Sequence, residues 1–197
     1  MCKHDAVPDG GWVLQGWRQV KRARLWLTLL LALGGLVVSI RDGHAAEPLP
    51  APRGEVLLTV SGAIGRGNAQ DSAGGLEARF DRAMLEQIGF TEVNTATPWH
   101  SGVMRFEGVL LRAVLGMVEA RGNNLLASAH NEYSATLPAS DAAHYNVILA
   151  MKLNGETMTF RDKGPLFIIY PFDSDKALQT DMTYIRSVWQ LRRIDVR

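Results

Sequence analysis

Along Glu55–Ser61 apolar and polar residues alternate, with Val56, Leu58 and Val60 on one side, a period of two that predicts a strand. The glycine-rich stretch Gly62–Gly75 reads as a loop. Phe80–Gly89 predicts a short helix with Asp81 as its N-cap and Gly89 as its stop. A strand is expected at Thr91–Thr95. Leu110, Leu111, Val114, Leu115 and Val118 then recur at helical spacing, with Gly122 as the expected end of that helix. Asn124–Thr136 alternates as a strand, and Ser140-Asp141 is placed to cap a helical turn. Two apolar runs, Val147–Leu153 and Thr157–Phe160, flank Asn154-Gly155, a dipeptide suited to the positive φ angles of a tight hairpin turn. Leu166–Tyr170, between Pro165 and Pro171, reads as a buried strand, Asp175–Arg186 as helical, and Trp189–Val196 as the closing strand. Many short strands and a few short helices, in no regular βαβ order, predict an α+β domain with mixed β-sheets.

The N-terminus follows a different pattern. Lys21, Arg22 and Arg24 precede Leu25–Ile40, an almost wholly apolar run that is short for a membrane-spanning helix of roughly 20 residues and right for the core of an export signal. Gly43-His44-Ala45 supplies small residues at the −3 and −1 positions, so cleavage is expected after Ala45, with an uncleaved membrane anchor as the alternative. The expected organisation is a signal peptide with an N-terminal extension over residues 1–46, a Pro-rich linker over 47–53, and one folded domain over 54–197, long enough to bury a core. The implied location is the periplasm.

Composition narrows the function. Of 21 basic and 20 acidic residues, six and three lie in residues 1–46, so the remainder carries a slight acidic excess and no basic stripe for nucleic acid. The single cysteine, Cys2, lies ahead of the signal, and the exported protein would contain none. His100, His130 and His144 are not at metal-ligand spacing, so no metal site is expected from them. Ser61, Ser101 and Ser128 lack the sharp strand-turn-helix context of a hydrolase nucleophile, and no catalytic residue is assigned. The glycines at 62, 65 and 67 do not have dinucleotide-binding spacing.

Five phrases, in consistent order over Glu55–Arg197, carry a resemblance: Phe106-Glu-Gly-Val-Leu-Leu111; Ala129-His-Asn-Glu-Tyr133 with Leu137-Pro138; Val147–Ala150 with Leu153-Asn-Gly-Glu156; Gly164-Pro165-Leu166 with Ile169-Tyr-Pro171; and Trp189-Gln-Leu191 with Ile194. Together they resemble the oxidoreductase molybdopterin-binding domain, of sulfite-oxidase-like fold. The resemblance implies a single such domain, and in that family one cysteine thiolate ligates the metal, ahead of the Phe-x-Gly-Val phrase. The corresponding stretch here is Thr95-Ala-Thr-Pro-Trp99. A threonine hydroxyl is a poor substitute for a soft thiolate, so molybdenum is not expected. The chain is similar to a small, exported, cysteine-less branch whose members bind pterins and report them to a membrane-bound cyclic-di-GMP enzyme. That implies a pterin or molybdopterin-like ligand, a periplasmic sensor domain as partner, and a non-catalytic role. The rival readings are a small molybdopterin-dependent oxidoreductase whose metal sits on the pterin dithiolene alone, and an interaction module with a closed pocket.

A flat, polar heterocycle needs an aromatic wall and edge donors and acceptors. Wall candidates are Trp99, Tyr133, Tyr170 and Trp189, with Trp99 favoured because it follows Thr97-Pro98 in the loop at the missing-ligand position. His100 is a candidate donor beside it. Asn131, with Glu132, is expected on the strand that carries Tyr133, where an amide can pair with the amino-pyrimidinone edge. Arg161, Asp162 and Lys163 form a polar loop between apolar segments, suited to a bidentate contact, an acceptor and a point charge respectively. Arg186, three residues before Trp189, completes the candidate set of Thr97, Trp99, His100, Asn131, Tyr133, Arg161, Asp162, Lys163 and Arg186.

Overall fold

The computed structural model describes residues 47–197. The signal-peptide reading of residues 1–46 lies outside them. The strands are β1 Val56–Gly62, β2 Ala69–Gln70, β3 Leu76–Asp81, β4 Thr91–Ala96, β5 Val103–Leu110, β6 Asn124–Ala129, β7 Ser134–Pro138, β8 Ile148–Leu153, β9 Glu156–Thr157, β10 Phe167–Ile169 and β11 Leu191–Val196. The helices are α1 Arg82–Ile88, α2 Leu111–Met117, α3 Ala139–His144 and α4 Asp181–Arg186, with 3-10 turns at Phe172–Ser174 and Lys176–Leu178.

Two sheets form, one in the order β2-β3-β1-β11-β6-β7, the other β10-β8-β5-β4 with β9 beside β8. Every pairing is antiparallel except β1 with β11, which run parallel with Val60 opposite Ile194. Leu58, Val60, Leu125 and Ile194 from the first sheet share one core with Leu149 and Ile168 from the second. On the other face of the second sheet Val93, Phe106, Ile148, Ala150, Phe167 and Ile169 form another cluster. Strand β10 and residues 148–151 of β8 are therefore wholly apolar, because each of their faces is covered. Trp99 and Trp189 pack against the second cluster, which places the loop ahead of β5 and the entry to β11 over that face.

The chain bends at several points that periodicity alone misplaces. Phe80 belongs to β3; Asp81 ends the strand and caps α1, accepting from the backbone N–H of Met84 at 2.9 Å. The same carboxylate accepts from Arg53 and Gly54 N–H, which holds its pKa below the usual range. Helix α2 stops at Met117, not at Gly122: Glu119 takes a positive φ of 52° and Ala120 N–H reaches back to the Leu115 carbonyl. Asn124–Thr136 is not one strand but the hairpin β6–β7, turned at His130–Tyr133 with Glu132 at φ 68°. Helix α3 starts without a side-chain cap, and Asp141 is bonded elsewhere. Asp175–Arg186 breaks up because Asp175 and Thr180 each bond a backbone N–H two or three residues on, ending one turn and starting another. The Asn154-Gly155 hairpin forms as expected, both residues at positive φ. Strand β5 was not legible as one, and residues 47–53, read as a linker, lie along the following loop with Leu49 buried.

The Phe106-Glu-Gly-Val phrase has a steric origin. Gly108 sits at a register shift between β5 and β8, where a Cβ would collide with the Leu149 carbonyl oxygen and the Ala150 Cα. Gly108→Ala is expected to lower the urea midpoint by an amount equivalent to about 3 kcal/mol or to prevent folding, in the range of severe overpacking. An unchanged midpoint would contradict this account of the phrase.

Candidate functional site

Three backbone-linked loops meet at the start of β11. Gln190, at φ 50°, is the knot: its N–H donates to the Lys163 carbonyl (2.9 Å), its carbonyl accepts from His130 N–H (2.9 Å), and its side-chain amide donates to the Phe160 carbonyl (3.0 Å). The His130 and Phe160 rings meet edge to face, centroids 5.1 Å apart. The turn Thr159–Gly164, the β6–β7 turn and the entry to β11 are thus one unit. The β4–β5 loop joins it through Trp99.

Trp99 is half-buried and has four aromatic neighbours: Phe167 at 5.3 Å, Trp189 at 5.8 Å, Tyr184 at 6.0 Å and Phe172 at 6.4 Å between centroids. Three of these pairs are edge-to-face, the orientation the ring quadrupoles favour, worth about 0.5–1.5 kcal/mol each beyond their burial. Lys163 places its ammonium 5.7 Å from the Trp189 ring centroid. Thr97 is buried, and its Oγ1 lies 2.8 Å from His100 Nδ1. Burial, and secondarily the positive charge of Lys163, push the His100 pKa below its ordinary value, which keeps its ring neutral at neutral pH. Thr97, Trp99, His100 and Lys163 are therefore brought together, with Trp189 and Phe167.

The other candidates are placed differently. Asp162 is exposed and closes its own turn, its Oδ2 accepting from the Thr159 hydroxyl at 2.7 Å and its N–H at 3.3 Å. Those bonds, the side-chain one first, hold its pKa low. Arg161 is exposed in the same turn. Asn131 sits in the β6–β7 turn and not on a strand, its Oδ1 accepting from Tyr133 N–H. Tyr133 donates its hydroxyl to the Ile185 carbonyl at 2.9 Å, on the outer side of the turn. Arg186 is paired with Asp141 Oδ2 at 3.2 Å, on which the buried Tyr170 hydroxyl also donates at 2.8 Å. Burial, then the Asp141 charge, pushes the Tyr170 pKa up. Arg186 and Tyr170 thus belong to an internal network, and Tyr170 is core and not a wall. Gln190 and Phe167 were assigned no role from the sequence. A Gln at positive φ leaves no mark in a sequence, and Phe167 reads only as strand core.

The stretch at the missing-thiolate position is fully occupied by its own bonds. Thr95 is buried, accepts from Asp173 N–H at 3.1 Å, and Asp173 accepts in return from Ala96 N–H at 2.7 Å. With the Thr97 hydroxyl held by His100, this loop presents no soft donor to a metal. Among the described residues no group of three or more His, Cys, Asp or Glu could hold one. The aromatic faces, the ammonium and the neutral imidazole are groups of the kind that contact a flat polar ring.

Residues 81–173 match the family described as the oxidoreductase molybdopterin binding domain. A solved structure, the sulfane dehydrogenase SoxCD from Paracoccus pantotrophus, is similar at a TM-score of 0.50 and 16% identity, over 71% of this chain and 37% of that one. At that identity the likeness concerns fold alone. The chain spans little more than a third of the length of that relative. Comparison with curated proteins finds no match. The domain is an α+β domain of sulfite-oxidase-like fold. The matched segment, residues 81–173, belongs to the oxidoreductase molybdopterin binding domain family. The match takes in Trp99, His100 and Lys163 and stops before Trp189.

His100 sets a pH dependence. Its folded pKa is depressed, so the stability it contributes is present above the unfolded value of about 6.5 and is lost as pH falls below it. The fall in urea midpoint between pH 7.5 and 5.5 should be smaller in His100→Asn than in the natural protein. An identical fall in both would rule His100 out as the titrating group.

Proposed function

We propose that this domain is a non-catalytic pterin-binding protein of the molybdopterin-binding family, exported to the periplasm, whose ligand state is read by the periplasmic sensor domain of a membrane signalling enzyme of the cyclic-di-GMP type. The observation that carries the reading is the juxtaposition of the Trp99–Trp189 pair, the Lys163 ammonium and the neutral His100, on a loop whose two threonine hydroxyls are already bonded. An aromatic face offers stacking to a pteridine ring, Lys163 offers a point charge to its carbonyl or to a phosphate, and His100 offers a ring-edge contact. Molybdenum is not part of the proposal, because the loop supplies no thiolate. A bound ligand can act on the partner only through a difference in affinity between two states of their complex. The loops joined by Gln190 are the part of the surface on which such a difference would be expressed.

The rival favoured by the family is a molybdopterin-dependent oxidoreductase with the metal on the dithiolene alone. Mass spectrometry and metal analysis of the exported domain separate the two: a pterin without stoichiometric molybdenum supports the proposal, and stoichiometric molybdenum with dye-linked reductase activity overturns it. Neopterin titration should quench tryptophan fluorescence. Lys163→Ala should weaken the binding about tenfold, equivalent to about 1.4 kcal/mol. Fluorescence unresponsive to millimolar neopterin would favour a closed pocket.

A further inference from the structure

A cleft lined by described residues lies apart from Trp99 and Trp189. It has a volume of about 580 Å³ and opens between the approach to β1, the first turn and a half of α1, and the chain at Met158–Phe160. Leu57, Met158 and Phe160 give it an apolar wall, and Phe160 is 54% exposed. Arg53 and Arg82 line it, as do Glu55 and Glu86. A cavity of this size with an apolar wall and a few charged groups is the usual form of a small-molecule site.

The charges in it are poorly matched to each other. Arg82 and Glu86 are four residues apart on one helix, yet Nη1 and Oε1 stand 3.9 Å apart, beyond hydrogen-bond range. Arg82 Nη1 is buried and has no hydrogen-bond partner among the described residues. The rest of the Arg82 side chain remains 36% exposed and Glu86 45% exposed. A half-desolvated guanidinium and a carboxylate, joined to each other only by this long ion pair, thus flank one apolar wall. Asp81, a third carboxylate beside Glu55 and Glu86, is taken up by the N–H groups of Arg53, Gly54 and Met84. A simple anion would meet Glu55 and Glu86, and a simple cation would meet Arg53 and Arg82. A zwitterion meets both sets favourably: a carboxylate on the accessible Arg82 nitrogens, an ammonium on Glu86, and an apolar substituent against Leu57, Met158 and Phe160.

We propose that this cleft is a second ligand site, for a small zwitterion with an apolar side chain, of the chemical class of a free hydrophobic amino acid. It is distinct from the pterin site and does not depend on that reading. The cleft and the pterin loops meet along the chain Met158–Pro165, where Phe160 both lines the cleft and packs on His130, and Lys163 lies at Trp189.

The probe is L-phenylalanine, added to the 15N-labelled domain and followed by the backbone amide signals. Shifts concentrated at Arg82, Ala83, Met158 and Thr159 are expected. 3-Phenylpropionate, which lacks the ammonium, and phenethylamine, which lacks the carboxylate, should each bind at least about tenfold more weakly. Arg82→Gln and the more exposed Glu86→Gln should each weaken L-phenylalanine by a similar factor while keeping a dispersed spectrum, and Lys163→Ala should leave it unchanged. The proposal is overturned by no shifts at 10 mM L-phenylalanine, by either one-charge analogue binding as well as the amino acid, or by undiminished binding to folded Glu86→Gln.

Discussion

The parallel pairing of β1 with β11 is the constraint on which the rest of this domain depends. These two strands are the first and last long ones of the described chain, and they lie side by side in the middle of the larger sheet. Their pairing brings Val60 and Ile194 into one core row and leaves β6 to pair with the far edge of β11. It also fixes where β11 begins. Trp189 and Gln190 enter that strand directly, so the pairing places the residue that ties Lys163, Phe160 and His130 together. A closure of such long sequence separation carries a loop-entropy cost that is repaid only when the core between the sheets is complete. The site is therefore a product of the finished fold and not of any one loop.

The second sheet contributes the opposite requirement. Its outer face is covered mainly by side chains of the Trp99 loop and the β11 entry, so aromatic rings serve both as core cover and as the wall of the candidate site. Trp99 shows how tightly these roles are joined, since four of its neighbours are rings that also belong to the packed interior. A ligand placed there would have to meet the outer half of that cluster, with Lys163 and His100 at its margin. Where the wider family is expected to use a thiolate, this chain uses the same loop for two bonded threonines and a tryptophan. The groups at that position are aromatic rings, an ammonium and an imidazole.

Much of the architecture was legible. Alternation or a bounded apolar run found β1, β4, β8, β10 and β11 to within two residues, and Gly, Pro or an Asn-Gly turn bounds all of these but β11. The helices were found where a cap or a 3.6-residue spacing marked them. Two of the errors share a cause, left-handed residues that are not glycine. Glu119 ends α2 and Glu132 turns the β6–β7 hairpin, and neither residue type announces a positive φ. The expected helix starts at Phe80, the penultimate residue of β3, because Asp81 serves both as strand end and as cap. Of the candidate site residues, Trp99, His100 and Lys163 come together in the fold, and each was conspicuous in the sequence as a polar or aromatic residue in a loop. Arg186 and Asp162 were equally conspicuous, yet one is held by Asp141 and the other by Thr159. A charge in a sequence does not carry its partner with it.

By itself, the sequence determined the class of fold, the order of most elements, the family and the absence of a thiolate beyond Cys2, because all of these are local patterns or simple composition. Only the tertiary structure decided that the first and last strands pair, that Gln190 joins three segments, and that Trp99, Trp189, His100 and Lys163 share a neighbourhood while Arg186 does not. Those facts are contacts between residues tens of positions apart. They follow from which faces must be buried together, a condition on the whole chain that no window along it contains.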